Sequence, residues 1–406
     1  MTLDTRPSLP APVFATWVRP GPLARAALPA TWLATRAAMV LLLLWDGLGT
    51  GGVTREVTGL YTHWYGILAR GAFPSGDPLW QYPPGAGPVL LAPGLLPRLG
   101  YVHAFVALTL AADALVTYVL ARGGREPRGA WLWVAGLPLL LHIPLARFDV
   151  QVTALAVLAL LAQSAGRSPR TAGVLAALGA LVKVWPALTL LGVPRGRSAK
   201  EAWTAAVASG AALLLLLAFA FDAPLSFLSG QSGRGVQIES LGGTALMIAR
   251  HAGWPGRVRY RYGAFEVVGP HVELVAAAAL ALTVAAFGVL LWWRTRARAW
   301  SEATPYDAAL CAVLMFTVTS RVISPQYLVW LLGLTAVCLT SRYTTQARVA
   351  PLILAAAGLS SLTYPVLYAD VLAGTWTGCA VTAARNALLV GAVFVSFRSL
   401  KKGTKE

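Results

Sequence analysis

Glu56 begins a stretch, Glu56 to Tyr65, that is followed by Trp80, Gln81, Tyr82, Pro83 and Pro84. A carboxylate beside such an aromatic segment is partly desolvated, which raises its basicity and suits it to accept a proton. Asp46 and Asp77 compete for the same role, and the plain alternative for Glu56 is a solvated acid paired with Arg55 or Arg70. Arg147, Phe148 and Asp149 fall where one apolar run meets the next, and Lys183, with Val184, Trp185 and Pro186 after it, interrupts another. Charges at such depth face a bundle interior or a cavity, or pair with one another; Asp113 and Asp149 are candidate partners for Lys183. A purely structural reading of Arg147 is an ion pair, or a side chain stretching to the interface. Arg321, Ser324, Gln326 and Tyr327 surround Pro325, where a helix N-terminus would add free backbone N–H groups for an oxyanion; otherwise they form a polar turn.

These residues sit in a chain of 406 residues that is 57% hydrophobic and 12% charged. Soluble domains average about 45–50% and about 25%, so this chain lacks the polar surface to cover a core in water. It reads as an all-α polytopic membrane protein. Its net charge of +17 would suggest nucleic acid in a soluble protein. Here the basic residues gather in short loops between apolar runs, as cytoplasmic loops do, and no nucleic-acid partner is implied.

The runs give a cytoplasmic tail over 1–28, one integral-membrane domain over 29–397 and a basic cytoplasmic tail over 398–406. No removable signal peptide is visible in the first segment, which carries Arg6, Arg19 and Arg25. The first span covers 29–49, with Arg36 near its start able to reach the interface. Later runs lie near 84–97, 101–121, 129–146, 150–164, 172–194, 202–221, 271–293, 306–320, 325–341, 349–369 and 376–397. With about 10–12 spans, placing the loops with Arg122, Arg125, Arg128, Arg167 and Arg170 inside makes 84–97 re-entrant and turns 172–194 back near Lys183 and Pro186, the version favoured over straight crossings that leave those loops outside.

Two long segments, 50–83 and 222–270, then lie outside the membrane. Tyr61, Trp64, Tyr65, Ile67 and Leu68 give the first an apolar side at helical spacing, as in a helix lying in the interface. The second carries Arg234, Arg250, Arg257, Arg259 and Arg261 against Asp222, Glu239 and Glu266, which suits a phosphate-bearing or anionic lipid partner or contact with headgroups. Cys311, Cys338 and Cys379 each lie inside an apolar run and read as small hydrophobes. The five histidines are too scattered for a ligand pair and no phosphate-binding glycine loop follows a strand, so neither a metal nor a nucleotide cofactor is expected.

Together, the Glu56–Tyr61 stretch with Trp80 to Pro84, Arg147 with Asp149, Lys183 with Trp185 and Pro186, and Ser320, Arg321 with Ser324 to Tyr327 resemble the GT-C class of polytopic glycosyltransferases. Within that class the similarity is to the actinobacterial polyprenol-phosphomannose-dependent mannosyltransferases of family 87, and it extends from about Glu56 to Asn386. The resemblance implies a GT-C-like fold and a sugar donor on polyprenyl phosphate, used at the outer face of the cell membrane. An acid of the first external loop is the general base. The family uses Asp there and Glu56 is the matching position, which keeps Asp46 and Asp77 in play. The implied mechanism is one inverting displacement, giving an α-glycoside from a β-linked donor. Arg147, Lys183 and Arg321 are then the candidate donor-phosphate ligands, and Tyr61, Tyr82, Asp149, Gln326 and Tyr327 the candidates for orienting substrate. The acceptor is a lipid, a glycan or a protein. A flippase or transporter of lipid-linked sugar is the competing reading, since it too uses broken helices and embedded charge.

Overall fold

The computed structural model describes residues 22–163, 168–228 and 235–405. Most of the expected 1–28 tail, including Arg6 and Arg19, lies outside these residues, as do Arg167 and Arg234 and the side chain of Arg25. The chain is an all-α polytopic membrane protein with one small sheet. Among the described residues five helices are long and apolar enough to cross a membrane: Ala26–Trp45, Tyr101–Gly123, Arg197–Ala220, Val272–Arg296 and Trp376–Gly403. Six shorter apolar helices lie among them, including Asp149–Leu161, Pro169–Val182, Thr304–Thr319 and Tyr327–Cys338.

Sequence decides which of these sit inside. The Tyr327–Cys338 helix is apolar on every side, and all its residues from Leu328 to Cys338 are buried, as expected of a helix with no polar stripe. Val272–Arg296 is apolar between Glu273 and Arg294, yet only Val272, Leu290 and Trp293 are buried, and Leu274, Leu280, Leu282 and Leu291 are exposed, as on a helix that faces lipid.

Proline and glycine set the breaks. The apolar run 129–146 does not form one helix: Arg128–Gly136 gives way to tight turns over Leu137–Leu140 and Ile143–Ala146, each with a proline, Pro138 or Pro144, in its first positions. The Pro169–Val182 helix stops as Lys183 turns extended (φ −146°, ψ 135°), two residues before a 3₁₀ turn opens at Trp185 and Pro186. The break expected near Lys183 is therefore present. The 84–97 run is likewise a short helix, Ala86–Leu91, followed by a 3₁₀ turn. Gly85 N–H donates to Leu181 O at 2.8 Å, and a Cβ on Gly85 would stand 2.6 Å from Leu181 backbone. That close approach draws the end of the first long loop against the helix that ends at Lys183.

Both long segments are ordered where described. Residues 56–68 form a wide turn, Glu56–Tyr61, running into a helix, Thr62–Leu68. The expectation of a helix lying in the interface is corrected here: Tyr61, Trp64 and Leu68 pack into the main core against protein. Aromatic rings that suit an interface also suit a core. The second segment holds a three-stranded antiparallel sheet in the order β1 (Val236–Gln237), β3 (Ala264–Val268), β2 (Arg257–Arg261). Tyr260 pairs with Phe265 and Gln237 with Glu266. The alternation of Arg257, Arg259 and Arg261 thus marks a strand.

Arg36 does not reach the interface. It is 2% exposed, and its guanidinium donates to both oxygens of Asp113, Nε at 2.7 Å and Nη2 at 2.9 Å. Trp32 and Trp133 donate to the same carboxylate at 2.6 and 2.7 Å. Removing one partner of such a pair strands the other charge. Asp113→Ala is expected to cost about 3 kcal/mol in thermal unfolding of the detergent-purified protein; a variant as stable as the parent would contradict this account of the helix contact.

Candidate active site

The wide turn beginning at Glu56, the loop end at Gln81 and Tyr82, the break at Lys183 and the turn at Pro325 surround one cavity of about 790 Å³. Glu56, Tyr82, Arg147, Lys183, Gln326 and Tyr327 all line it. Six of the residues expected at the site, from four distant stretches, therefore share one space.

Two ion pairs set its electrostatics. Arg147, extended between a tight turn and the Asp149–Leu161 helix, presents Nη2 to Glu56 Oε2 at 3.3 Å. Its Nη1 donates to Val53 O at 3.2 Å and Ala146 O at 2.8 Å, so the guanidinium is fixed from behind while the edge paired with Glu56 meets the cavity. Lys183 Nζ donates to Asp149 Oδ1 at 2.7 Å. The ammonium also lies 4.6 Å from the centre of Phe148, 5.4 Å from Trp330 and 5.5 Å from Tyr82, within the range of cation–π attraction. Trp330 Nε1 donates 2.6 Å to the same Asp149 oxygen, and its ring is sandwiched between Trp185 at 5.2 Å and Tyr327 at 4.0 Å.

Three of the expected residues do not line the cavity. Asp149 is buried behind Lys183 and acts through it. Tyr61 is fully buried and packs its ring on Trp64, Phe105 and Phe148, supporting the wall from the inside. Arg321 is absent from the lining although its neighbours Val322 and Ser324 belong to it; its backbone carbonyl accepts from Gln237 N–H at 3.0 Å. A residue at a turn can aim either way, and sequence does not fix which.

The rival acids are committed elsewhere. Asp77 accepts from Trp64 Nε1 at 2.7 Å and from Leu79 N–H at 2.8 Å, which folds the first loop on itself. Asp46 accepts from Val53 N–H, Thr54 N–H, the Thr54 hydroxyl and His142. Burial raises its pKa, but the hydrogen bonds from Thr54, His142 and Val53 outweigh burial and hold the carboxyl below its ordinary range. Neither acid lines the cavity.

Another part of the wall was not anticipated. Glu239, just after β1, faces the cavity and takes Nη1 of the buried Arg385 at 3.2 Å and Nε2 of Gln237 at 3.0 Å. Burial pushes its carboxyl up, with Arg385 opposing. Gln237 Oε1 accepts from Ile323 N–H at 2.8 Å, so β1 holds the Arg321–Gln326 turn in place. Arg385, alone amid the apolar 376–397 run, was the available signal. Tyr260 on β2 also lines the cavity. Burial raises the pKa of its hydroxyl, Glu56 adds to the rise and Arg147 opposes it. The hairpin is therefore within the field of the Glu56–Arg147 pair. Among the described residues no three or more His, Cys, Asp or Glu side chains gather as a metal-ligand group.

Residues 80–325 match the sequence model described as glycosyltransferase family 87. The matched segment contains Arg147, Lys183 and Arg321 and leaves Glu56 outside. No curated protein matches the chain. Among solved structures, the crystal structure of ArnT from Cupriavidus metallidurans bound to undecaprenyl phosphate is similar over 94% of this chain and 77% of its own, at 14% identity and a TM-score of 0.43.

Asp149→Ala would leave the Lys183 ammonium among aromatic rings without its anion. A stability loss of about 3 kcal/mol is expected, recovered for the most part in Asp149→Ala/Lys183→Met. Thermal unfolding of the two variants checks this, and a double variant no more stable than the single one would rule it out.

Proposed function

The chain belongs to glycosyltransferase family 87, and we propose that it moves mannose from a polyprenyl-phosphate donor to an acceptor hydroxyl at the outer face of the membrane, with inversion. The observation that carries this reading is the shared cavity: an acid, Glu56, faces two cations, Arg147 and Lys183, that come from stretches far apart in sequence. Family membership and the multi-pass helical body support a membrane glycosyltransferase over a flippase. Donor type, sugar and side of the membrane are the further steps proposed here.

The chemistry follows from where charge moves. Glu56 takes the proton of the acceptor hydroxyl as that oxygen bonds to the anomeric carbon. The bond from the anomeric carbon to the phosphate oxygen breaks, its electron pair stays on that oxygen, and a phosphodiester of one negative charge becomes a monoester of two. Cations fixed where that charge grows lower the barrier most when water is kept away, and Arg147 and Lys183, which line the cavity, are the cations proposed for that role.

Before donor arrives the two cations are balanced by Glu56 and Asp149. Arg147 is fixed by two carbonyls, and Glu56 is the more exposed member of its pair. A phosphate oxygen arriving at Nη2 therefore displaces the carboxylate, which turns toward the acceptor. Donor binding makes the base available. The aromatic stack of Trp185, Trp330 and Tyr327, together with Tyr82 in the same lining, supplies flat faces for a sugar ring, and Gln326 a polar contact.

Glu56→Gln keeps the shape and removes the base. With purified protein in lipid nanodiscs and labelled polyprenyl-phosphate mannose, transfer is expected to fall by about 10²–10⁴-fold while the donor binds at least as tightly as to the parent, since Arg147 no longer holds a competing anion. Normal turnover in this variant would remove Glu56 from the mechanism. Movement of intact donor across the bilayer without sugar transfer by the parent would overturn the whole reading.

A further inference from the structure

The four residues Gly47, Gly49, Gly51 and Gly52 leave the chain before Glu56 with little stiffness of its own, and the last three adopt positive φ. Something else must set where Glu56 stands. Asp46, at the end of the first helix, reaches across this loop and accepts from Val53 N–H at 3.0 Å, Thr54 N–H at 3.1 Å and the Thr54 hydroxyl at 2.6 Å. Thr54 O then accepts from Val57 and Thr58 N–H, each at 2.9 Å, which starts the turn that presents Glu56.

The same carboxylate meets a second segment. His142 Nε2 lies 3.0 Å from Asp46 Oδ1. The ring is fully buried, and its Nδ1 has no hydrogen-bond partner among the described residues. Beside a carboxylate, Nε2 is the nitrogen that carries the proton and donates. Five residues beyond His142 comes Arg147, whose Nη1 donates back to Val53 O at 3.2 Å. The contacts close a ring: Asp46 to Val53 and Thr54, Val53 to Arg147, and the Arg147 segment through His142 back to Asp46.

We propose that Asp46 and His142 are positioning residues that together fix, relative to each other, the two backbone segments from which the Glu56 and Arg147 side chains project. The proposal rests on the reading of Glu56 as base and Arg147 as phosphate ligand. It assigns Asp46 a role other than the base for which its position qualifies it, and gives His142 one that its place in an apolar run conceals. Proton transfer is steeply sensitive to placement, and a displacement of about 1 Å costs about 100-fold in rate. The ring exists to prevent such a displacement. It acts on the catalytic step and leaves the phosphate-binding Lys183 and the aromatic stack untouched.

The test combines kinetics with amide exchange on full-length protein in nanodiscs, using labelled polyprenyl-phosphate mannose. Asp46→Asn and His142→Leu are each expected to lower kcat by about 100-fold, with the donor KM within about threefold of the parent. His142→Gln, whose amide N–H reaches where Nε2–H stands, recovers most of the loss. In a Glu56→Gln background Asp46→Asn lowers the residual rate by less than about threefold, because there is no base left to misplace. Exchange at the 53–58 amides quickens in Asp46→Asn and His142→Leu whether or not the protein turns over.

An unchanged kcat in both single variants, a full additional loss in the Glu56→Gln background, or unaltered exchange would each overturn the proposal while leaving the donor reading standing. If Asp46→Asn fails to fold, the His142→Leu and His142→Gln pair carries the same comparison. A parent that exchanges as expected but never transfers sugar would defeat the donor reading, and the two failures are thereby told apart.

Discussion

A cation removed from water needs an anion within reach, and that requirement shapes the cavity wall more than any other force. Arg147 and Lys183 both carry this need, and they meet it differently. Lys183 is closed in by Asp149 at 2.7 Å and three aromatic faces. Arg147 is anchored to two carbonyls and meets Glu56 at 3.3 Å. The first pair is enclosed; the second has an exchangeable member on the open side. That difference separates a closed, neutral pair from one whose carboxylate stands on the open side.

Holding charges at such depth depends on broken helices. Continuous helices satisfy their own backbone groups, but they cannot bring charged side chains from several stretches to one point. The interruptions at Pro84 and Gly85, at Pro144, at Lys183 and Pro186, and at Pro325 provide the ends from which the wall is made. The freed backbone groups find tertiary partners: Leu181 O takes Gly85 N–H, Val53 O takes Arg147, and Ile323 N–H finds Gln237. Irregular backbone inside a membrane protein is tolerated when it is satisfied in this way or lines a cavity.

The membrane class was legible because 57% hydrophobic residues leave too little polar surface for water. Lys183, Arg147 and Asp149 were legible for a related reason, since a charge amid apolar residues has few bland explanations. Partner identity was not legible. Arg36 and Asp113 are 77 residues apart, and an isolated arginine near a helix start fits the interface equally well until its acid is seen. Asp113 and Asp149 were equal partners for Lys183 on paper; the packing gives Asp113 to Arg36 and Asp149 to Lys183. The Glu239–Arg385 wall stayed hidden because it joins a loop acid to a helix arginine 146 residues on. Turns were the other gap: Arg321 and Ser324 are neighbours in a turn, yet only Ser324 lines the cavity.

A lipid-linked phosphate taking the guanidinium of Arg147 from Glu56 is the proposed first event at this site. An experimental structure with a polyprenyl phosphate bound tests it most directly. The expected result is phosphate oxygens about 3 Å from Arg147 Nη2 and Lys183 Nζ, with the Glu56 carboxylate turned away from Arg147 into the cavity. A phosphate bound elsewhere, with the Glu56–Arg147 pair intact, would contradict it.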